Sequence, residues 1–263
     1  MIRARKRFGQ HFLHDPGVIA RIVAAIDPKA GERVVEIGPG LGALTRPLLE
    51  RCGRLEVIEI DRDVIPELRR HCAGAGELIV HQGDVLEMDI GALHGGGTLL
   101  RLCGNLPYNI STPLLFHLLA ARACVADMHF MLQKEVVDRM VAGPGGKIYG
   151  RLTVMLAVAC RAQSLFHVGS GAFRPAPAVD SAVVRLVPHR SAPFPLPDSA
   201  RFAAIVKAAF SMRRKTLRNS LRGLVAEAAF DATGIAAGRR PETLAPAEFA
   251  LLAAQPAPAP AGL

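Results

Sequence analysis

The stretch Arg33–Ile60 confines this chain to a narrow set of architectures. A short β-branched run, Arg33–Ile37, meets the turn-forming Gly38-Pro39-Gly40-Leu41-Gly42, then a helix-like segment over Ala43–Arg51 and a second β-branched run, Leu55–Ile60. Two such runs joined through a helix form a βαβ unit, whose parallel strands need helices packed over them. The alternation continues through a helix at Val64–Cys72, strands at Leu78–His81 and Thr98–Gly104, a helix at Thr112–Ala121, a strand at Met128–Leu132 and a helix at Lys134–Ala142. Repeated units of this kind predict an α/β fold, a mostly parallel sheet with helices on both faces.

Beyond the loop Gly143-Pro144-Gly145-Gly146 the pattern changes to a helix, Leu152–Ala159, and two strands, Ser164–Val168 and Ala182–Val187, which can close the sheet with a hairpin-like edge. The Pro-rich Pro188–Pro197 reads as a linker. Helical composition over Arg201–Ser211, Lys215–Ala229 and Ala247–Ala254 predicts a small C-terminal helical domain. The expected organisation is therefore a sheet domain over residues 1–190 with a basic N-terminal arm, a helical domain over 198–255 and a disordered Pro/Ala tail over 256–263. No solenoid period is present.

The chain has 263 residues, half of them apolar, enough for one large core and a smaller one. Its formal charge of +9 is concentrated at Arg3, Arg5, Lys6 and Arg7 and at Arg213, Arg214, Lys215, Arg218 and Arg222. Such clusters fit a polyanionic partner, and they also occur as plain solvated faces. The cysteines Cys52, Cys72, Cys103, Cys124 and Cys160 are widely spaced without any CxxC, which indicates neither a zinc site nor a disulfide framework; no metal is expected. Gln10, His11, His14 and Asp15 deny the N-terminal region a signal-peptide core, and Arg122 and Asp127 interrupt the apolar Leu114–Leu132 region. The expectation is a protein that is neither exported by such a signal nor membrane-spanning, located in the cytoplasm.

Chemistry is concentrated in Asn105-Leu106-Pro107-Tyr108, at the end of the run Thr98–Gly104. An exocyclic adenine amine is a poor nucleophile because its lone pair is delocalised into the ring, so an enzyme that uses it must orient both N–H bonds. The Asn105 side-chain oxygen and a following backbone carbonyl can accept them, and Tyr108 can stack on the base. The same four residues also make an ordinary turn after a strand.

Glu36-Ile37-Gly38-Pro39-Gly40-Leu41-Gly42 lets bare backbone approach a nucleoside, with spacing GxGxG rather than the dinucleotide GxGxxG. Glu59 and Asp61 end the next strand, where ribose hydroxyls would sit, and Asp84 follows the third, where it can accept from an adenine amine. In a doubly wound sheet these strand ends share one crevice. Taken singly, Glu59 also reads as a solvated strand-end charge and Asp84 as an Asx turn.

Glu36–Thr45 (EIGPGLGALT), Val57–Asp63 (VIEIDRD), Gly83-Asp84, Gly104–Thr112 (GNLPYNIST), Met131–Val137 (MLQKEVV), Phe173–Ser181 (FRPAPAVDS) and the basic Phe210–Ser220 (FSMRRKTLRNS) resemble the ribosomal RNA adenine dimethyltransferases. The resemblance runs from Arg5 to about Phe249 and is strongest to the bacterial branch acting on small-subunit ribosomal RNA. It implies a Rossmann-like class I methyltransferase fold and S-adenosylmethionine as methyl donor. It also implies cofactor contacts at His11, Leu13, Gly38, Gly40, Glu59, Asp84 and Asn105. His11 departs from the family's usual QNFL, since this chain reads Gln10-His11-Phe12-Leu13; a packed loop histidine is the alternative.

The methyl group arrives activated on a sulfonium, so positioning is expected to dominate catalysis. Asn105 and the Leu106 carbonyl hold the amine in this reading, Tyr108 stacks on one face of the base and Phe173 covers the other, unless Phe173 is core. A second transfer to the same amine requires room beside it, and Leu106 is the candidate for providing that room. The expected partner is small-subunit ribosomal RNA within an immature subunit, an unpaired loop offering a base at least cost, with Arg5, Lys6, Arg7, Arg213, Arg214, Lys215, Arg218 and Arg222 on its phosphates. A monomer is expected. Competing readings are a large-subunit dimethyltransferase conferring macrolide resistance, a single-transfer DNA adenine methyltransferase, a non-catalytic assembly or transcription factor on the same fold, and a dehydrogenase.

Overall fold

A computed structural model describes residues 11–212 and 214–257. Its strands are β1 (Phe12–Leu13), β2 (Arg33–Ile37), β3 (Arg54–Glu59), β4 (Glu77–Gln82), β5 (Leu100–Asn105), β6 (Val125–Gln133), β7 (Cys160–Val168), β8 (Phe173–Arg174) and β9 (Ser181–Pro188). Its helices are α1 (Pro16–Ile26), α2 (Thr45–Cys52), α3 (Ile65–Cys72), α4 (Ile90–His94), α5 (Ser111–Ala120), α6 (Lys134–Met140), α7 (Arg151–Ala159), α8 (Ser199–Ser211), α9 (Leu217–Ser220), α10 (Glu227–Thr233) and α11 (Pro246–Ala254).

Seven strands form one sheet in the order β4-β3-β2-β5-β6-β9-β7, and β1 and β8 form a separate antiparallel ribbon. The β4/β3, β3/β2, β2/β5 and β5/β6 pairs are parallel, whereas β6 and β9 run antiparallel from Met128↔Leu186 to Gln133↔Ser181. The inner strands are mainly apolar, as expected where helices cover both faces, with buried polar exceptions at Glu36, Glu56, Glu59, Asp127 and His129. Gly104 allows β5 to approach β2 closely: its φ is +154° and an added Cβ would lie 2.3 Å from the Ile37 carbonyl oxygen.

Two compact units divide the chain. The first comprises Met1–Val137 and Ala162–Pro188, the second Asp138–Arg161 and His189–Leu263. The core of the first unit includes Ile22, Val23 and Ile26 of α1, Leu48 and Leu49 of α2, and Val34, Leu55, Val57 and Cys103 of the sheet. In the second, Phe202, Ile205, Val206, Leu217, Leu221, Phe230, Leu244 and Phe249 pack with Tyr149 and Val154. The Tyr149 hydroxyl donates to the Leu244 carbonyl at 2.7 Å. This packing draws Asp138–Arg161 into the helical unit, where a boundary after residue 190 would leave it with the sheet.

Four elements were not expected from sequence: β1, α1, α4 and β8. The helix expected over Lys215–Ala229 is instead two short helices, α9 and α10. Gly223 lies between them at φ +80°, outside the right-handed helical region. The five cysteines are unpaired and all but Cys124 are buried. Among the described residues no helix is long and apolar enough to cross a membrane, and no group of three metal-ligating side chains comes together. Of the tail over 256–263, residues 258–263 lie outside the described residues.

Candidate active site

Strand order reverses between β2 and β5, and in open α/β sheets ligands bind beyond the carboxyl ends of the strands at that point. A cleft of about 540 Å³ opens there, lined by the segments that follow β2, β3, β4 and β5 and by the β1/β8 ribbon. All of these belong to the first unit.

The end beside β3 is acidic. Glu59 is 5% exposed; its Oε1 accepts from the Asp61 N–H at 2.8 Å and its Oε2 from the Gly40 N–H at 3.1 Å. Burial raises its pKa above the ordinary carboxylate value, and the two backbone donors oppose that rise. Both oxygens are fixed yet keep lone pairs for hydroxyl donors. Asp61 is buried and accepts from the Asp63 N–H at 3.2 Å, turning the chain back after β3. Gly40 sits at φ +55°, a left-handed conformation that favours glycine, and a Cβ there would press to 3.2 Å from the Phe12 ring. Asp84 Oδ1 accepts from the Leu86 N–H at 2.9 Å. Asp84 is thus an Asx turn and a cleft residue together. Ile60, 46% exposed, and Val85 add apolar walls suited to a flat base.

Behind the Gly-rich turn, Glu36 is wholly buried. Thr45 Oγ1 donates to its Oε2 at 2.6 Å, but burial dominates and pushes its pKa up to about 7, with the Glu59 charge adding to the rise.

The other end carries the base-holding candidates. The Asn105 side-chain Nδ2 donates to the His11 carbonyl at 3.0 Å. A carbonyl only accepts, so this bond fixes which way the amide points and leaves Oδ1 as an acceptor for a ligand. The His11 ring stacks on Tyr108 with centroids 5.9 Å apart and planes at 24°, and its Nδ1 donates to the Pro175 carbonyl at 2.7 Å. The Tyr108 hydroxyl pairs with Ser181 Oγ at 2.7 Å, and the Tyr108 carbonyl accepts from Ser111 Oγ at 3.0 Å. Burial raises the Tyr108 phenol pKa, keeping it neutral. The Leu106 N–H donates to the Met131 carbonyl at 3.2 Å, which ties the loop to β6.

His11, Leu13, Gly38, Gly40, Glu59, Asp84, Asn105, Leu106 and Tyr108 therefore line a single cleft. Phe173 does not, which corrects its reading as the second stacking face: it is 2% exposed and packs in the core with Leu13, Met131 and Val183. Alternation along β8 turns Arg174, not Phe173, to the cleft. Arg5, Lys6, Arg7 and Arg213 lie outside the described residues. Arg214, Lys215, Arg218 and Arg222 are exposed in the second unit on a short helix and its flanking turns, not on one long basic helix. Arg218 is ion-paired to Glu227. Sequence reasoning missed Ile60, whose signal was an apolar residue between two strand-end acids. It also missed Arg174, and Ser181 as the partner of Tyr108, both inside the quoted FRPAPAVDS segment.

A family model described as ribosomal RNA adenine dimethylase matches residues 1–255. The chain is 54% identical over 253 residues to ribosomal RNA small subunit methyltransferase A of Pseudomonas putida, covering 96% of this chain and 95% of that protein. Among solved structures it is similar to a dimethyladenosine transferase from Plasmodium falciparum, with TM-score 0.79 and 27% identity over 92% of this chain and 96% of that one. It is also similar to the 23S rRNA methyltransferase ErmE, with TM-score 0.71 and 26% identity over 92% and 98% of the two chains.

Proposed function

The chain belongs to the ribosomal RNA adenine dimethylase family, and from that premise we propose that it transfers methyl groups from S-adenosylmethionine to the exocyclic amines of two adjacent adenosines near the 3′ end of small-subunit ribosomal RNA. The products are dimethyladenosines. Identity of 54% to a small-subunit enzyme, against 26% to a large-subunit one, supports the small-subunit branch. An immature subunit as substrate, a cytoplasmic location and action as a monomer complete the reading.

The cleft fits the methyl donor in size and in the chemistry of its walls. Roughly 540 Å³ is within the range of pockets that enclose a cofactor-sized ligand. Glu59, held by two backbone donors, takes ribose hydroxyls; Asp84 takes an adenine amine; Ile60 and Val85 flank the ring; Gly38 and Gly40 admit the chain closely. When bound, the donor supplies a methyl group already activated on sulfur. Asn105 Oδ1 and the Leu106 carbonyl accept the two N–H bonds of the target amine, turning its lone pair toward the donor, while Tyr108 presents its free ring face to the base. No side chain is asked to be a strong base.

The single observation that carries this reading is the cleft-lining Asn105 amide, whose Nδ2 is engaged by the His11 carbonyl so that its oxygen is left as the acceptor. The test is to incubate the protein with under-methylated small subunits and labelled S-adenosylmethionine, digest the RNA and analyse nucleosides by mass. Dimethyladenosine at two neighbouring positions is expected. Monomethyl product alone, or label confined to large-subunit RNA, would overturn it.

A further inference from the structure

Charge is distributed unevenly around the cleft. Glu36, Glu59 and Asp84 line the part formed by β2, β3 and β4, and among the described residues Arg174 is the only lysine or arginine lining any of it. Arg174 is exposed, and its guanidinium has no ion pair or hydrogen bond among the described residues. Several other arginines of the same unit are engaged, Arg33 with Glu56, Arg101 with Asp127 and Glu32, Arg46 with Glu50, Arg70 with Glu67, and none of them lines the cleft. An unengaged guanidinium at a ligand cleft is a ready partner for an anionic oxygen group.

The local structure ties Arg174 to the side where the target base is held. Its ladder partner is Phe12, between His11 and Leu13. The next residue, Pro175, accepts the His11 ring N–H, and that ring lies on Tyr108. The His11 carbonyl in turn holds Asn105. Through His11, the backbone on either side of the Arg174–Pro175 bond is thus anchored to both base-holding side chains. A splayed-out nucleotide whose base enters against Tyr108 brings its own phosphates to the mouth of the cleft.

We propose that Arg174 is a substrate-binding residue that grips a backbone phosphate of the target adenosine. The proposal rests on the methyltransferase reading and adds to it the contact that seats the nucleotide. An anionic oxygen also occurs in the α-carboxylate of the methyl donor, and the experiment separates the two sources.

Arg174→Ala and Arg174→Lys are compared with the unaltered protein by calorimetric titration with S-adenosylmethionine and by methyl transfer to under-methylated small subunits over a salt series. A released phosphate contact on a single strand lowers the slope of log affinity against log salt by about 0.7. For Arg174→Ala the expected results are donor affinity within about twofold of the unaltered protein, a subunit KM raised on the order of tenfold, kcat at saturating subunits nearly unchanged, and a salt slope shallower by about 0.7. Arg174→Lys should keep the slope, because lysine retains the point charge. An unchanged slope and KM in Arg174→Ala would overturn the proposal. A fall in donor affinity beyond about fivefold with subunit KM unchanged would overturn it too, placing the guanidinium on the donor carboxylate. Failure of the unaltered protein to methylate subunits would instead overturn the functional reading itself.

Discussion

At the scale of the residue, Asn105 and Glu36 make opposite uses of the protein interior. Asn105 is half-buried and its amide is oriented by one bond from Nδ2 to the His11 carbonyl. Replacing it with alanine removes an acceptor without adding bulk, and a target amine free to rotate presents its lone pair less often. Asn105→Ala should therefore lose on the order of 100-fold in kcat/KM for subunits. Near-normal transfer by a variant that still binds donor would sink the proposed mechanism. Glu36 is buried beside Thr45 with its pKa raised from 4.5 to about 7. Between those values the folded chain holds a proton that the unfolded chain has released, so stability from this group is present at low pH and is lost as pH rises through about 7. The raised pKa corresponds to about 3 kcal/mol. Glu36→Gln keeps an acceptor for the Thr45 hydroxyl and removes the titration. Denaturant melts at pH 5 and pH 8 should show the Gln variant gaining on the parent with rising pH; a constant difference would contradict the assignment.

At the scale of the element, what was legible depended on length and pattern. β2 was legible because the β-branched Val34, Val35 and Ile37 are closed off by the turn-forming Gly38. The Gly-rich turn, Glu59, Asp84 and Asn105 could be placed at one crevice because strand ends in a parallel sheet converge by topology. A two-residue ribbon has no period to detect, so β1 and β8 were invisible. With them went the alternation that buries Phe173 and turns Arg174 to the cleft. The helix α1 did carry a signal, apolar residues at Val18, Ile19, Ile22, Val23 and Ile26 behind the N-cap Asp15, whose carboxylate accepts from the Val18 N–H. Asp15→Ala should cost about 1 kcal/mol, read as a lowered denaturation midpoint without loss of donor binding. Gly104 is more demanding. A methyl group there meets the Ile37 carbonyl, a backbone atom within the sheet that cannot swing away. Gly104→Ala should destabilise the sheet unit by about 3 kcal/mol or more, or fail to fold; a melt within about 1 kcal/mol of the parent would show that β2 and β5 can separate freely.

At the scale of the whole molecule, a surplus of nine positive charges is a statement about partners rather than about fold. Net charge does not distinguish a cation that is available from one already paired inside the protein, and the second unit contains both kinds. Arg214 and Lys215 are exposed with no ion pair among the described residues, whereas Arg218 is paired to Glu227 and Arg222 reaches Asn219 at 3.5 Å. If phosphates displace counterions from this surface, an available cation contributes fully to the salt dependence. A cation that must first leave a carboxylate contributes less, because its gain on the RNA is offset by the bond it gives up. Arg214→Ala should therefore lower the slope of log affinity against log salt by about 0.7, while Arg218→Ala should leave it nearly unchanged. Filter binding of small-subunit RNA fragments between 50 and 200 mM salt, roughly the range over which such contacts are lost, measures both. Equal slopes for parent and Arg214→Ala would remove Arg214 from the RNA interface and leave Lys215, the N-terminal cations and Arg174 as the remaining phosphate-binding candidates.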